Sequence, residues 1–423
     1  MFKNLVLPAL FCSCLIPLAA WSDAGNKPSK TSSHYPDGIS QLSALVNEVL
    51  GSNPGIQAVQ AQRDAAIAKV QAADQPLYNP ELELDVENTD IQTSSLGITQ
   101  AIDWSDKRGA RSEVARFETS SLNAGLRTAR QQLAGELLQS LADFQTHREM
   151  DLLTKQRIKL LQGFVELAKK RRQAGDLGQA DLSLAQLALA EAGMQRTRAA
   201  TQLMKTQQAL ITLVGGASDW PGLPDVLPSL NLADENIDEI LHQLPVLQVQ
   251  LAKIAAARAN IHLRSREQQP DPTIGLRGGR EDDENLIGLT LSIPLFVRNN
   301  FRAEVDVANA ELIQAERESQ NIVRNARSAL FLSARSYQLV RETWQGWQQA
   351  GQSSLDNQLA LIQQLWQARE ISTAEYFMQL NQTLNTRTSA IELRQDLWRA
   401  WTDWLLASGQ VNTWLGLDLK NKK

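Results

Sequence analysis

Two long stretches of this 423-residue chain, 81–220 and 295–423, combine a helical spacing of apolar positions with a complete lack of proline. A helical pattern in the first stretch continues from about residue 106 to 173, a rod of about 100 Å. In the second stretch, apolar or small side chains recur at alternating steps of three and four, the heptad pattern of a coiled coil. Its positions are Leu312, Ala315, Ser319, Ile322, Ala326, Ala329, Ser333, Ser336, Val340, Thr343, Trp347 and Ala350. The pattern predicts paired helices far longer than those of a compact domain.

Each long helix is predicted to end at a tight break and to return as a shorter helix. In the first break, 174–178, Gly175 suits the left-handed position that ends a helix. The second break is 369–372, and the helix after it opens with Ser372 and Glu375 in the spacing of a capping box.

Four short segments alternate between apolar and polar residues, which is typical of strands with one apolar face. The predicted strands are 81–88, 96–104, 273–280 and 286–295. At about nine residues each, they have the length at which a tilted strand crosses a bilayer.

The four strands of one chain cannot close into a barrel, and an open sheet in lipid would leave unpaired backbone groups along both edges. Two chains would form a barrel filled by side chains, whereas three would supply 12 strands, enough for a passage. A closed ring of identical subunits is an ordinary assembly. The predicted fold is therefore mainly α with a small β part that completes a trimeric 12-strand barrel. A sheet half-buried on a helical body, outside any membrane, is the alternative that the same pattern permits.

The chain also repeats itself, because Gly97 and Gly288, and likewise Arg111 and Arg302, are 191 positions apart. Each copy reads as a helix, two strands, a long helix and a return helix. The predicted organisation is a first repeat at 41–214, a linker at 215–235, a second repeat at 236–408 and a C-terminal segment at 409–423.

The N-terminus and the composition indicate an exported protein. Residues 1–22 have the features of a secretory signal peptide, and Cys12 and Cys14 fall inside it, which excludes a disulfide framework. Acylation of Cys14 is the alternative for this segment. Residues 23–40 are polar and predicted to be disordered. The net charge of -5 argues against a nucleic-acid partner, and no later apolar run is long enough for a transmembrane helix.

No pattern of residues indicates catalysis. The histidines lack the spacing of metal ligands, and the glycine-rich run at 275–279 lies within a predicted strand rather than before a helix, unlike a phosphate loop. We therefore predict no enzyme activity, no cofactor and no resident metal site.

Several short motifs follow one another in a characteristic order. They are the strand start Asn79-Pro80-Glu81-Leu82, the basic motif Lys107-Arg108-x-x-Arg111, and the strand end Ile293-Pro294-Leu295-Phe296 followed by Arg298-Asn299. In this order, and duplicated, they resemble the outer-membrane factors, the TolC-like exit ducts of tripartite efflux systems. The first and last resemble most closely the heavy-metal cation (CzcC-like) branch, except that Phe301 stands where that branch often has glycine. The resemblance covers roughly residues 41–410.

The resemblance implies a homotrimer whose barrel lies in the outer membrane of a Gram-negative bacterium and continues as an antiparallel coiled-coil tunnel through the periplasm. The 215–240 region and the C-terminal segment would form an equatorial belt. The tunnel tip would dock on a periplasmic adaptor, a membrane fusion protein, linked to a proton-driven inner-membrane pump of the RND type. The duct would conduct its substrate passively, with divalent heavy-metal cations as first candidate. Drug efflux, type I protein secretion, and a soluble periplasmic coiled-coil adaptor or scaffold are the alternatives.

Candidate functional residues lie at the helix breaks and on the strands. The predicted periplasmic gate is Asp176, Glu370, Asp181 and Glu375. The last two have the alternative role of capping helix N-termini. The adaptor contacts implied by the resemblance are Gly175, Leu177, Gly178, Ile371 and Ser372. The predicted lumen-facing acids, which would favour cations by attraction, are Glu81, Glu83, Asp85, Glu87 and Asp103; a solvated face without a transport role is their alternative.

Aromatic and basic residues complete the candidates. A predicted aromatic girdle consists of Tyr78, Trp104 and Phe296, with ordinary core packing as the alternative. The basic residues Lys107, Arg108, Arg111, Arg298 and Arg302 would contact lipid phosphates or lie exposed on a turn. Trp398, Trp401 and Trp404 share one helix face and are predicted to be packing residues.

Overall fold

The computed structural model describes residues 37–216, 219–230 and 237–417. The helices are α1 (Asp37–Ser52), α2 (Pro54–Ala73), α3 (Lys107–Gln173), α4 (Gln179–Val214), α5 (Ile237–Gln243), α6 (Pro245–Glu267), α7 (Arg302–Gly346), α8 (Gln352–Gln367), α9 (Thr373–Ser408) and α10 (Val411–Trp414). The strands are β1 (Glu81–Asn88), β2 (Gln92–Ala101), β3 (Thr273–Glu281) and β4 (Glu284–Ser292). A π turn, Trp347–Gly351, joins α7 to α8. The prediction of a mainly helical chain with a small sheet is confirmed, whereas the trimer, the barrel and the duplication stay predictions.

At the start of the chain, the structure corrects the prediction of a disordered segment. The proposed signal peptide, 1–22, lies outside the described residues, as do residues 23–36 of the segment predicted to be disordered. Residues 37–40 are not disordered, because α1 begins at Asp37. The polar composition of this segment hid a helical face on which Leu42 and Val46 are fully buried.

The strands are displaced towards their hairpin turns relative to the predicted ranges. β1 has the predicted bounds, but β2 begins at Gln92, four residues before the predicted start, because Gln92 pairs with Asn88, and it ends at Ala101 rather than at 104. In the second hairpin, β4 runs from Glu284 to Ser292 instead of 286–295. Backbone hydrogen bonds do not require apolar side chains, so polar residues beside each turn extend the ladder.

The four strands form one antiparallel sheet in the order β1-β2-β3-β4, with β1 and β4 at its edges. Paired residues share a face, and one transverse row is apolar throughout, formed by Leu82, Ile98, Leu276 and Leu289. These four side chains are 52–78% exposed. Within the described chain no helix covers this face, so the alternative of a sheet half-buried on the helical body is wrong.

The opposite face of the sheet is polar and has small residues at its centre. Glu83, Gly97, Arg277 and Gly288 are paired in succession across the four strands. A Cβ atom at Gly275 would lie 2.7 Å from Cγ2 of Thr99, so this glycine is required by the close approach of a neighbouring side chain.

The two long helical segments differ in continuity. Helix α3 is unbroken over 67 residues, about 100 Å, as predicted. The second segment is interrupted by the π turn, and its buried positions depart from the predicted heptad seam above the turn. One row of the predicted seam is kept, since Ser333 is buried and Ala326 and Val340 are half-buried. The other row is displaced by one residue, because Leu330 and Tyr337 are buried whereas the predicted Ala329 and Ser336 are exposed. The seven-residue spacing of the heptad is therefore retained.

Two separate hydrophobic cores stabilise the helical body. The central core joins α1, α2, α3, α4, α5, α6, α7, α9, α10 and the 219–230 segment. Its largest buried residues include Leu42, Leu137, Leu138, Leu141, Leu210, Leu330, Tyr337, Trp398, Trp401, Trp404, Leu405 and Leu415. The tip core lies beside the helix breaks and includes Leu161, Phe164, Val165, Ala168, Ala185, Ile362, Trp366, Tyr376, Phe377 and Leu380. The prediction that Trp398, Trp401 and Trp404 are packing residues is confirmed by their burial.

A close crossing of α3 and α9 lies within the central core. Gly135 is the contact point, since a Cβ atom there would lie 2.7 Å from Cδ2 of Leu406. Among the described residues, no helix is both long and apolar enough to cross a membrane.

Candidate functional site

The two helix breaks have the left-handed residue that ends a helix. In the first it is Gly175, with φ of 80°, as predicted. In the second it is Arg369, with φ of 64°, a conformation that side chains other than glycine rarely adopt. After the second break, Ser372 Oγ accepts a hydrogen bond from the Glu375 N–H at 3.2 Å, which is one half of the predicted capping box. The Glu375 carboxylate instead accepts a hydrogen bond from Gln379 at 3.4 Å.

Two arginines join the breaks to each other. Arg369 Nη2 donates to Asp176 Oδ2 at 2.7 Å across the two breaks. The guanidinium of Arg171 lies 4.4 Å from the ring centroid of Trp366, and it donates to the carbonyls of Trp366 and Gln367 at 3.3 and 3.4 Å. These carbonyls lie at the end of α8, where the Trp366 carbonyl also accepts the backbone N–H of Arg369 at 3.2 Å, and Arg171 adds a donor from the other half of the chain. Neither arginine was among the predicted site residues.

The remaining gate and adaptor candidates surround this connection. Asp181 lies in the first turn of α4, whose cap residue Gly178 has no side chain to offer. Glu370 is exposed in the second break. Leu177 and Ile371 are half-buried against the tip core, whereas Gly175, Gly178 and Ser372 are exposed. The structure thus brings the candidates of both breaks to one end of the molecule, and their roles stay predictions.

The strand acids occupy one edge of the sheet. Glu81, Glu83, Asp85 and Glu87 all lie on the polar face of β1, whose residues are exposed throughout. Glu83 accepts a hydrogen bond from Thr99 Oγ1 at 3.4 Å.

Asp103, grouped with these acids in the sequence, has a different position. Its Oδ1 and Oδ2 accept the backbone N–H groups of Lys107 and Arg108, each at 2.8 Å, so the carboxylate caps the start of α3. Asp106 lies beside it, and its hydrogen bond with Arg266, at 2.6 Å, lowers the pKa of the Asp106 carboxyl below its usual value. Asp103 is therefore a capping residue at the junction of sheet and helix, and its predicted position facing the lumen stays a prediction.

Tyr78 belongs to a hydrogen-bonded group at the same junction. Its hydroxyl donates to Asp271 Oδ2 at 2.6 Å, and Lys107 Nζ donates to the same oxygen at 2.9 Å. The bond to this carboxylate, aided by burial, raises the pKa of Tyr78 to about 12. Trp104 is 73% exposed. Phe296 packs edge-on against Phe301 with ring centroids 5.0 Å apart.

Phe301, which stands where the heavy-metal branch often has glycine, adopts a backbone conformation typical of glycine. Its φ is 55°, in the left-handed region that favours glycine. The backbone at this position therefore keeps the shape that a glycine would adopt freely.

Two of the basic candidates have intramolecular roles. The Lys107 side chain is only 12% exposed and bonded to Asp271, and Arg111 donates to the carbonyls of Ala73 and Gln75 at 3.1 and 3.2 Å, at the end of α2. The alternative of an exposed turn is therefore wrong for these two residues, whereas contact with lipid phosphates stays a prediction. Arg108, Arg298 and Arg302 are exposed.

The described residues contain no group of three or more His, Cys, Asp or Glu side chains placed to hold a metal ion.

In fold, the helical body and its four-stranded sheet are similar to solved outer-membrane channels. The crystal structure of the channel-forming protein CusC superposes on this chain with a TM-score of 0.74 at 17% identity, over 87% of this chain and 92% of that one. Residues 45–216 match the outer membrane efflux protein family.

Two relatives extend this likeness to the sequence. The cobalt-zinc-cadmium resistance protein CzcC of Cupriavidus metallidurans is 26% identical over 346 residues, which are 77% of this chain and 81% of that protein. The nickel-cobalt-cadmium resistance protein NccC of Alcaligenes xylosoxydans xylosoxydans is 24% identical over 302 residues, 68% and 69% of the two chains. The predicted resemblance to the outer-membrane factors, and within them to the heavy-metal resistance branch, is confirmed.

Proposed function

We propose that the protein is the outer-membrane exit duct of a tripartite efflux system, formed by three copies whose sheets close into one 12-strand barrel. The observation that carries this proposal is the exposed apolar face of the sheet, where Leu82 and Ile287 are 74% and 83% exposed. Such a face in water would be a strongly unfavourable exposure of contiguous apolar surface, whereas lipid matches it. Both sheet edges also present unpaired backbone groups that only further strands can satisfy in lipid.

The proposed cargo is a divalent heavy-metal cation. This proposal rests on the names of the two relatives, which are resistance proteins for cobalt, zinc, nickel and cadmium. The acidic edge of the sheet supports it, because carboxylates along a passage attract cations and oppose anions. A duct conducts its cargo without holding it, so a resident metal site is not required.

The proposed partners dock at the tip. A periplasmic adaptor would contact the exposed breaks, and a proton-driven inner-membrane pump of the RND type would supply the cargo through it. Support comes from the two breaks, which expose Gly175, Gly178 and Ser372 around a compact tip core. Asp176 and Glu370 would form the gate in this region, three copies of each narrowing the entrance.

The first experiment tests localisation, assembly and cargo together. The gene is deleted, and the strain is compared with wild type on a panel of cobalt, zinc, cadmium and nickel salts and of structurally unrelated drugs. We expect increased sensitivity to the metals alone, and a heat-dissociable trimer in the outer-membrane fraction that conducts ions in planar bilayers. Unchanged metal sensitivity would remove the cation assignment, drug sensitivity would favour drug efflux, and a monomer without conductance would favour a periplasmic scaffold.

The gate is tested by neutralising its acids. Asp176→Asn combined with Glu370→Gln should lower block by divalent cations and change single-channel conductance, since fewer charges would surround the entrance. Glu239→Gln, an exposed acid on α5 far along the chain from the breaks, is the matched control. If the double variant and the control have the same conductance and the same block, the gate is elsewhere.

A further inference from the structure

The two edges of the sheet carry complementary features on the polar face. Edge strand β1 presents four carboxylates there, Glu81, Glu83, Asp85 and Glu87. Within the described chain none of them has an ion-pair partner. A row of like charges repels itself, so this edge is expected to gain from a nearby cation.

On the polar face beside the other edge lies Arg277 of β3, paired with Gly97 on β2 and with Gly288 on edge strand β4. A Cβ atom at Gly288 would lie 2.7 Å from Arg277 Nε and 2.9 Å from its Cγ. A Cβ atom at Gly97 would lie near the base of the Arg277 side chain only, 3.2 Å from its Cβ. The side chain therefore leans away from β2 and crosses over Gly288 towards the β4 edge.

Arg277 is exposed, and its guanidinium has no hydrogen bond or ion pair with any described residue. A guanidinium group has five N–H donors in a fixed plane, and it is unusual for all of them to lack a partner when the side chain crosses a neighbouring strand in one direction. The glycine at 288 is what permits this direction, because any larger side chain would occupy the path of the arginine.

The strand order makes the two edges compatible. Strands β1 and β4 have opposite directions, as the outer members of a four-stranded antiparallel sheet. A β1 strand from a second copy can therefore pair with β4 in the antiparallel sense, with polar faces on the same side. Side chains on one face of neighbouring antiparallel strands lie about 5 Å apart at Cβ, and diagonal neighbours about 7–8 Å apart. Arg277 is one strand further away, about 9–10 Å from a β1 strand paired with β4, because neighbouring strands are about 4.8 Å apart. An extended arginine that already crosses β4 and a glutamate or aspartate that leans towards it can together span this gap.

We propose that Arg277 forms an ion pair with a β1 carboxylate, Glu83 or Asp85, of a second copy of this chain across a β4–β1 seam. The proposal rests on the trimeric barrel of the proposed function and specifies the side chains that fix its subunit seams. An arginine and a carboxylate paired in this way form charge-assisted hydrogen bonds with a defined direction. Each seam would neutralise one acid, and the remaining β1 acids would face the passage.

The pair is tested by charge reversal and exchange. Arg277→Glu should abolish the heat-resistant trimer band in semi-native electrophoresis, or lower its dissociation temperature markedly, because two like charges would meet at every seam. Adding Glu83→Arg or Asp85→Arg to that variant should restore the trimer in one of the two combinations. Arg280→Glu is the matched control, since Arg280 lies on the same strand but on the opposite face and should leave the band unchanged.

Cysteine cross-linking gives a measurement that does not depend on charge. Thr290→Cys on β4 is combined with Glu83→Cys or Asp85→Cys on β1, and mild oxidation should give covalently linked trimers. If the wild-type protein is a trimer and Arg277→Glu has no more effect on it than Arg280→Glu, the ion pair is wrong but the barrel remains supported. Absence of cross-links in both combinations would overturn the seam itself, and a monomeric wild type would overturn the ion pair and the proposed function together.

Discussion

The central core and the tip core stabilise the same helices in different ways. The central core collects side chains from distant parts of the chain, from α1 near its start to α10 near its end. The tip core joins only the ends of α3, α4, α8 and α9, and it relies on four stacked or edge-on aromatic rings, Phe164, Trp366, Tyr376 and Phe377. Both cores therefore join the two halves of the chain, but the central core also holds the helices near the start and the end of the chain, whereas the tip core is confined to the helices beside the breaks.

The segment between the cores is loosely packed in the second half of the chain. Between Tyr337 and Ile362, no side chain that the structure describes is fully buried, and the π turn lies within this interval. Cavities of about 340 and 590 Å³ lie on either side of Trp347. We expect the tip to respond locally to perturbation while the central core determines global stability.

The largest expected effect distinguishes the cores directly. Trp401→Ala in the central core removes the contacts with Tyr337 and Trp414, at centroid distances of 4.9 and 5.8 Å. It should cost about 3–5 kcal/mol of global stability, measured by thermal unfolding in detergent. Phe164→Ala at the tip removes a ring of similar burial, and we expect faster proteolysis near the breaks with little change in the main unfolding transition. Equal losses in the main transition would contradict the separation of the cores.

A smaller effect is expected at the crossing of α3 and α9. Gly135→Ala introduces a methyl group against Leu406 and should destabilise the central core by about 1–3 kcal/mol in the same unfolding measurement. Gly125→Ala is the control on the same helix, because a Cβ atom there has no neighbour within 4 Å. The control should be neutral or stabilising by up to ~1 kcal/mol, since alanine favours helix. A stable Gly135→Ala variant would mean that the crossing adjusts freely.

Alkaline pH offers a probe of the central core. Burial raises the pKa of Tyr337 to about 12, and its hydroxyl donates to the Pro228 carbonyl at 2.6 Å. A pKa raised in the folded state contributes stability that is complete below about pH 10 and is lost as pH rises towards 12. Tyr337→Phe should cost about 1 kcal/mol at pH 8 through the lost hydrogen bond. In a pH series of unfolding midpoints, the variant should fall less steeply than wild type above pH 10, and parallel curves would assign the alkaline loss to other groups such as Tyr78.

The smallest stability effect is expected from the ion pair between the breaks. Asp176 and Arg369 are 40% and 69% exposed at their side chains, so Asp176→Asn should cost only about 0.2–1 kcal/mol, less at high salt. Asp238→Asn removes a comparably exposed pair, with Arg327, beside the central core. Both variants should unfold alike, and only Asp176→Asn should change conductance. A conductance change in both would point to a general electrostatic effect.

Sequence periodicity predicted the long elements well, because a helix or strand pattern repeats locally. Helix α3 begins within about one residue of its predicted start, and β1 has its predicted bounds. The heptad seam was wrong at Ala329 and Ser336, because the larger neighbours Leu330 and Tyr337 are buried in their place while the seven-residue spacing is kept. Contacts between distant residues could not be predicted in this way. Asp103 as a cap and Arg369 beside Asp176 depend on where helices begin and how the two halves meet.

The π turn has one further consequence, for how the second long helix tolerates changes in length. A π turn contains one residue more than the α-helical turn it replaces. The extra residue is taken up within the turn, so removing one residue from Trp347–Gly351 would restore a continuous α-helix while Ile362 and Trp366 kept facing the tip core. A one-residue deletion in the regular α-helix just below the turn would instead rotate these two side chains by about 100° out of that core. The π turn is therefore a segment in which the length of the helix can change by one residue without loss of the tip core.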